Sequence, residues 1–232
     1  MANTPIYPNS PLVEVVFEIR FNGIPAIECH RDKFYEQVRQ VYPKVFVPAV
    51  KDGDFPALKA QRYAKEDESA AVLHAINSFA LSSKDYSGHA AFKSEFLRLL
   101  GVFDGLFKIG NLNRAGWRYI NVIPYAKVGD IIPLAQFFNF DLGLPLGSSE
   151  YENLNMVLTT KIEKAHVIFR LQAMETQDGQ QVLLLDIDYS KTQDLTLNGA
   201  SQYLDEGHLR AKDVFERLIT EQYRQYLRGE IE

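Results

Sequence analysis

Ten residues near the start, LVEVVFEIRF from Leu12 to Phe21, constrain this chain more than any other stretch. Val13, Val15, Phe17, Ile19 and Phe21 fall on one side of an extended backbone, and Glu14, Val16, Glu18 and Arg20 on the other. Successive strand side chains point to opposite faces, so this is a half-buried strand. It belongs to a sheet whose one face is packed and whose other face is left for water, a ligand or a partner. Gly23 and Pro25 end it.

The rest of the chain supplies matching parts. Ile27, Phe34, Val38 and Val41 share one helical face between Ala26 and Val41, and Pro43 closes that helix. Strands are expected near Ala57–Ala64 and Ala71–Ser82, separated by the charged turn KEDES. Ser82 to Ser87, SSKDYS, offers capping residues before a helix containing Phe92, Phe96, Leu99, Leu100 and Phe103. RAGWRYINVI is the next strand, stopped by Pro124, and the later segment GLPLGSSE reads as the connection between two halves. Three strands follow, Leu154–Glu163, His166–Met174 and Gln181–Tyr189, with the hairpin signal Asp178-Gly179 between the last two. A long amphipathic helix from about Ala200 to Arg228 ends the chain, carrying Leu204, Ala211, Phe215, Leu218 and Tyr226 near one stripe. Gly207 weakens its first turns, which moves the expected start later. GHAAFKSEFLRLL from Gly88 faintly echoes GHLRAKDVFERLI from Gly207.

These elements predict an α+β fold: a largely antiparallel sheet of about six or seven strands, with the helices and the long C-terminal helix on its apolar face. A helix-grip arrangement and a pair of fused α/β sandwiches both fit. The expected organisation is one domain, 1–232, in two halves, 1–145 and 146–232.

Composition narrows the function classes. With 232 residues, 46% hydrophobic and 24% charged, the chain has ordinary globular values. The net charge of −5, without blocks of like sign, makes nucleic acid an unlikely partner. One cysteine, Cys29, excludes an intramolecular disulfide and a multi-cysteine metal site, and its neighbour His30 points elsewhere along a helix or turn. The histidines at 30, 74, 89, 166 and 208 lack metal-ligand spacing, and His89 and His208, near helix starts, read as capping or packing residues. The phosphate-cradling glycine patterns and the hydrolase nucleophile elbow are missing, so no catalytic residue, cofactor or metal is assigned. The N-terminal residues show no signal-peptide pattern, and no apolar run reaches bilayer length; a cytoplasmic protein that neither enters nor crosses a membrane is expected.

What stands out is the polar side of the sheet. Strand parity collects Glu14, Glu18 and Arg20; Arg114 and Arg118; Thr159, Lys161 and Glu163; His166, Arg170 and Gln172; and Asp186 and Asp188. Arg114 and Arg118 are expected to stand opposite carboxylates from Glu14, Glu18, Asp186 or Asp188, while Trp117 and Tyr119 anchor the core. Asp186-Ile187-Asp188 presents two carboxylates on one face, suited to salt bridges with those arginines ahead of Mg²⁺ or acid/base work. A face built this way is a set of incidental cross-strand pairs, a surface for a protein partner or a second copy, or a cleft for a small anionic ligand or for hydrolysis. The residues favoured for binding are Arg114, Arg118, Glu14, Glu18, Arg20, Arg170, Asp186 and Asp188.

Several stretches, PLVEVVFEIRF, LSSKDYSGHAAFKSEF, RAGWRYINVI, and LDIDYS followed by LDEGHLRAKDVFERLITEQYRQYL, resemble a sporadically distributed family of uncharacterised bacterial and archaeal proteins of similar length. The family's strand pattern of arginine, glycine, arginine and then tyrosine-isoleucine-asparagine falls here on Arg114, Gly116, Arg118, Tyr119, Ile120 and Asn121. Trp117 and His89 stand where a leucine and a tryptophan are more typical. The resemblance carries over no activity, cofactor or catalytic residue. The family's patchy distribution is similar to that of toxin-antitoxin and defence-island genes, which implies an accessory protein acting through a protein partner.

Overall fold

A computed structural model describes residues 7–140 and 151–231 of the chain. It is an α+β structure built on a nine-stranded, wholly antiparallel sheet. In chain order the strands are β1 (Leu12–Phe21), β2 (Lys44–Phe46), β3 (Gln61–Ala64), β4 (Ala70–Ala75), β5 (Ser78–Ser83), β6 (Leu112–Pro124), β7 (Asn155–Ile162), β8 (Ala165–Glu175) and β9 (Gln181–Lys191). The helices are α1 (Ala26–Cys29), α2 (Arg31–Val38), α3 (His89–Phe107), α4 (Leu134–Phe137), α5 (Ala200–Leu218) and α6 (Glu221–Leu227).

Across the sheet the order is β2-β3-β4-β5-β1-β6-β9-β8-β7. The chain therefore takes the same path twice. It lays down a central strand (β1, then β6), passes to the far edge through short helices, returns strand by strand to the centre, and closes with a nineteen-residue helix (α3, then α5). The two segments that echo each other in sequence belong to these two closing helices.

Strand alternation does the packing. Val15, Phe17, Ile19 and Phe21 of β1 are buried on the helix-covered face, beside Ala115, Trp117, Tyr119 and Ile123 of β6, with Phe17 directly opposite Trp117. The Phe96 ring of α3 meets Phe17 edge-on at 4.8 Å, and Phe34 of α2 packs edge-on against Phe79 and Phe103. Each such aromatic, fully removed from water, stabilises by about 1.5–3 kcal/mol. Buried apolar residues of both halves form one continuous cluster.

The strand count exceeds the expected six or seven for two reasons. Ala71–Ser82 is a hairpin of β4 and β5 turned by Ile76-Asn77, a turn without glycine inside an apolar run. β2 has only three residues and pairs β3 at the sheet edge. The first predicted helix is broken at His30 into α1 and α2, and the last is broken after Leu218, where the Thr220 side chain caps α6. The cap of α3 is Gly88 at φ 118°, with no serine side chain involved. α5 begins at Ala200, ahead of Gly207, because that glycine lies against Trp117: a Cβ there would stand 2.6 Å from the Trp117 Cβ. The expected linker GLPLGSSE lies outside the described residues. Among the described residues no helix is long and apolar enough to cross a membrane.

Candidate functional site

The face of β1, β6, β9 and β8 opposite the long helices carries two neighbouring clusters of paired charges. In the middle of it, Gly116 of β6 lies between Glu18 of β1 and Ser190 of β9. The Arg114 side chain lies flat across that glycine; a Cβ at 116 would fall 2.5 Å from its Nη1. From there Arg114 reaches both flanking strands, donating to Glu18 Oε1 at 2.9 Å and to Asp188 Oδ1 at 3.0 Å. Glu18 accepts a further bond from Arg20 Nε at 2.6 Å.

The second centre is Asp186, which is buried. Arg118 donates Nε and Nη2 to its two oxygens, each at 2.7 Å, in the fork geometry that suits guanidinium and carboxylate. Arg170, opposite Asp186 on β8, adds Nη1 at 2.8 Å. The hydrogen bonds to Asp186 raise the Arg118 pKa further above its usual value. Burial pushes the Asp188 carboxyl upward, against the pull of Arg114. Among the described residues Glu14 takes no arginine in direct contact and accepts instead from the Ser82 hydroxyl on β5.

All eight residues singled out in the sequence thus lie on this one face, with Trp117 and Tyr119 turned to the core. Glu163 leaves the set, since it sits at φ 55° in the turn between β7 and β8.

A second polar cluster, on the helix side, was not foreseen. The His89 and His208 rings stack at 4.3 Å with 8° between their planes. Asp205 joins His89 Nε2 at 2.8 Å and Lys93 Nζ at 2.6 Å, while His208 Nδ1 meets the Tyr119 hydroxyl, itself 3.5 Å from that of Tyr86. Burial first, then His89 and Lys212, push the His208 pKa down to about 4. Burial of Asp205 works to raise its pKa, but the bonds from Lys93 and His89 outweigh it and the net shift is downward. The histidines pack and do not cap. The echoed Gly-His pair was the one signal in the sequence that could have brought them together.

A cavity of about 290 Å³ lies elsewhere, between Ile123, Pro124, Gln136, Phe137, Tyr223 and Tyr226. None of the eight charged residues lines it. Compared with known families and with curated proteins, the chain matches no family model and no curated sequence at a significant level.

Proposed function

We propose that this chain is a non-enzymatic binding module, an accessory protein of the toxin-antitoxin or defence type, that engages a protein partner or a second copy of itself through the open face of its sheet. The observation that carries this reading is a pair of adjoining ion-pair clusters, Arg20–Glu18–Arg114–Asp188 and Arg118–Asp186–Arg170, on a face the two long helices leave open. Exposed ion pairs contribute only about 0–1 kcal/mol each, and a buried pair such as Arg118–Asp186 is roughly neutral against an apolar replacement, so fold stability gives little reason to gather so many. Arginine is favoured where protein surfaces meet, because its planar fork is pre-organised for paired hydrogen bonds. The resemblance to the sporadic family supports the accessory role, and α5 lying along β6 and β9 supports a helix-grip reading of the fold.

The test is capture from the native host with tagged wild-type chain and with R118Q/D186N/R170Q, which neutralises the Asp186 centre without leaving a buried charge unpaired. A stoichiometric partner, or self-association, present with wild type and lost in a variant of unchanged circular dichroism is the expected result. A wild-type bait that is monomeric and carries no stoichiometric partner overturns the proposal.

A further inference from the structure

The eight charges on the open face, four arginines and four carboxylates, sum to zero, but they are not level. The acidic side chains lie deep: Asp186 is 3% exposed, Asp188 15% and Glu18 25%. The guanidiniums rise above them, with Arg118 at 43%, Arg170 at 39% and Arg20 at 53% exposed; only Arg114, laid over Gly116, stays low at 21%. Around Asp186 the face is therefore layered, the carboxylate beneath and the guanidiniums of Arg118 and Arg170 toward solvent, whereas Arg114 and Glu18 are nearly level.

The donors confirm the direction. Arg118 spends Nε and Nη2 on Asp186, and Arg170 spends Nη1; among the described residues no acceptor meets Arg118 Nη1 or Arg170 Nη2. Two guanidiniums share the Asp186 carboxylate in direct contact, so this cluster holds one positive charge in excess, acted on at longer range by Asp188 and Glu14, and has N–H groups left for an incoming acceptor. Coulomb attraction falls with distance, so a body approaching the sheet meets the upper layer first. A docked carboxylate gains bidentate N–H bonds, whereas a docked lysine meets repulsion at Arg118 and Arg170 and finds Asp186, Asp188 and Glu18 already paired with arginine.

We infer that the open face recognises an acidic segment of a partner protein, with Arg118 and Arg170 together receiving a side-chain carboxylate above Asp186. This rests on the binding reading given above and names the chemistry of the partner. The single excess charge, set in a chain of net charge −5, suits a carboxylate better than the phosphate ladder of a nucleic acid.

Titration of the purified chain at low ionic strength with octaglutamate, octalysine and a short DNA duplex, followed by fluorescence anisotropy and by the arginine Nε–H resonances, tests it. Octaglutamate is expected to bind and to shift the Arg118 and Arg170 signals, with octalysine inert. R118Q/D186N/R170Q is expected to weaken binding at least tenfold, and D186N, which frees the guanidiniums, to bind at least as tightly as wild type. The wild-type resonances give the answer even where a variant fails to fold. Absence of octaglutamate binding, equal binding of both peptides, or tighter binding of DNA overturns the inference. A host partner captured through this face by a basic segment also overturns it, yet leaves the binding reading standing; failure of capture alone removes that reading while the titration still judges the chemistry.

Discussion

His89 and His208 lie face to face at 4.3 Å, one from each of the two closing helices, and tie α3 to α5 where both cross Trp117. Such a stack is stable while at least one ring is neutral. The low pKa of His208, about 4, keeps that ring uncharged at neutral pH.

Acid should loosen this contact. The folded pKa of His208 lies below the unfolded value, so the unfolded chain takes up the proton first. The stabilising contribution is complete above pH 6.5 and is lost as pH falls from there toward about 4. Imidazole NMR should find one ring titrating near 4, and H208Q should flatten the fall in urea midpoint between pH 6.5 and 4.

His74 should add a slope of the same size that extends further into acid. It is buried among Phe34, Tyr63 and Phe103, with neither ring nitrogen partnered among the described residues, and burial pushes its pKa down to about 3. Stability should fall by about 1.4 kcal/mol per pH unit between 6.5 and 3, where the unfolded chain is protonated and the folded one is not. H74F should remove this slope and add about 1–3 kcal/mol at pH 7, because it replaces an unsatisfied polar group by an apolar ring. Denaturant melts at several pH values decide it.

Two glycine substitutions should differ although their clashes look alike. In G207A the new methyl meets the Trp117 Cβ, fixed to the central strand, and overpacking should cost about 1–3 kcal/mol despite alanine's better helix propensity. In G116A it meets the far end of Arg114, which can swing aside, so stability should change less while the bonds to Glu18 and Asp188 are lost. Unfolding curves and Arg114 side-chain NMR separate the two effects.

The Asp186 centre should respond asymmetrically. R118Q/R170Q leaves a buried carboxylate without a cation and should cost about 3–5 kcal/mol. D186N leaves two half-exposed guanidiniums that water can solvate, and should cost less; R118Q/D186N/R170Q should recover most of the loss. Chemical denaturation of the three proteins is the comparison.

Sequence order carried the charged face because strand parity is local: once β1, β6, β8 and β9 are recognised, alternation alone sorts Glu18, Arg114, Arg170 and Asp186 to one side. Depth is not local, and nothing in the string told Asp186 from Arg118 in exposure, since that depends on the neighbouring strand and on Gly116 making room for Arg114. The β4–β5 turn was hidden by apolar residues on both sides of Ile76-Asn77. The histidine stack joins residues far apart in the chain, and only the Gly-His echo hinted at their common environment.

The central position of β1 sets the order in which the chain can be completed. Val15 pairs with Ser83 on one side and with Tyr119 on the other, so β1, once made, waits for roughly a hundred further residues before its second edge is covered. At about 5–20 residues per second that is a matter of seconds, with the backbone N–H and C=O groups of β1 unpaired along an open edge. Such distant pairings make spontaneous refolding slow. Synthesis that pauses before β6 is made should therefore be the moment when this protein most needs a chaperone.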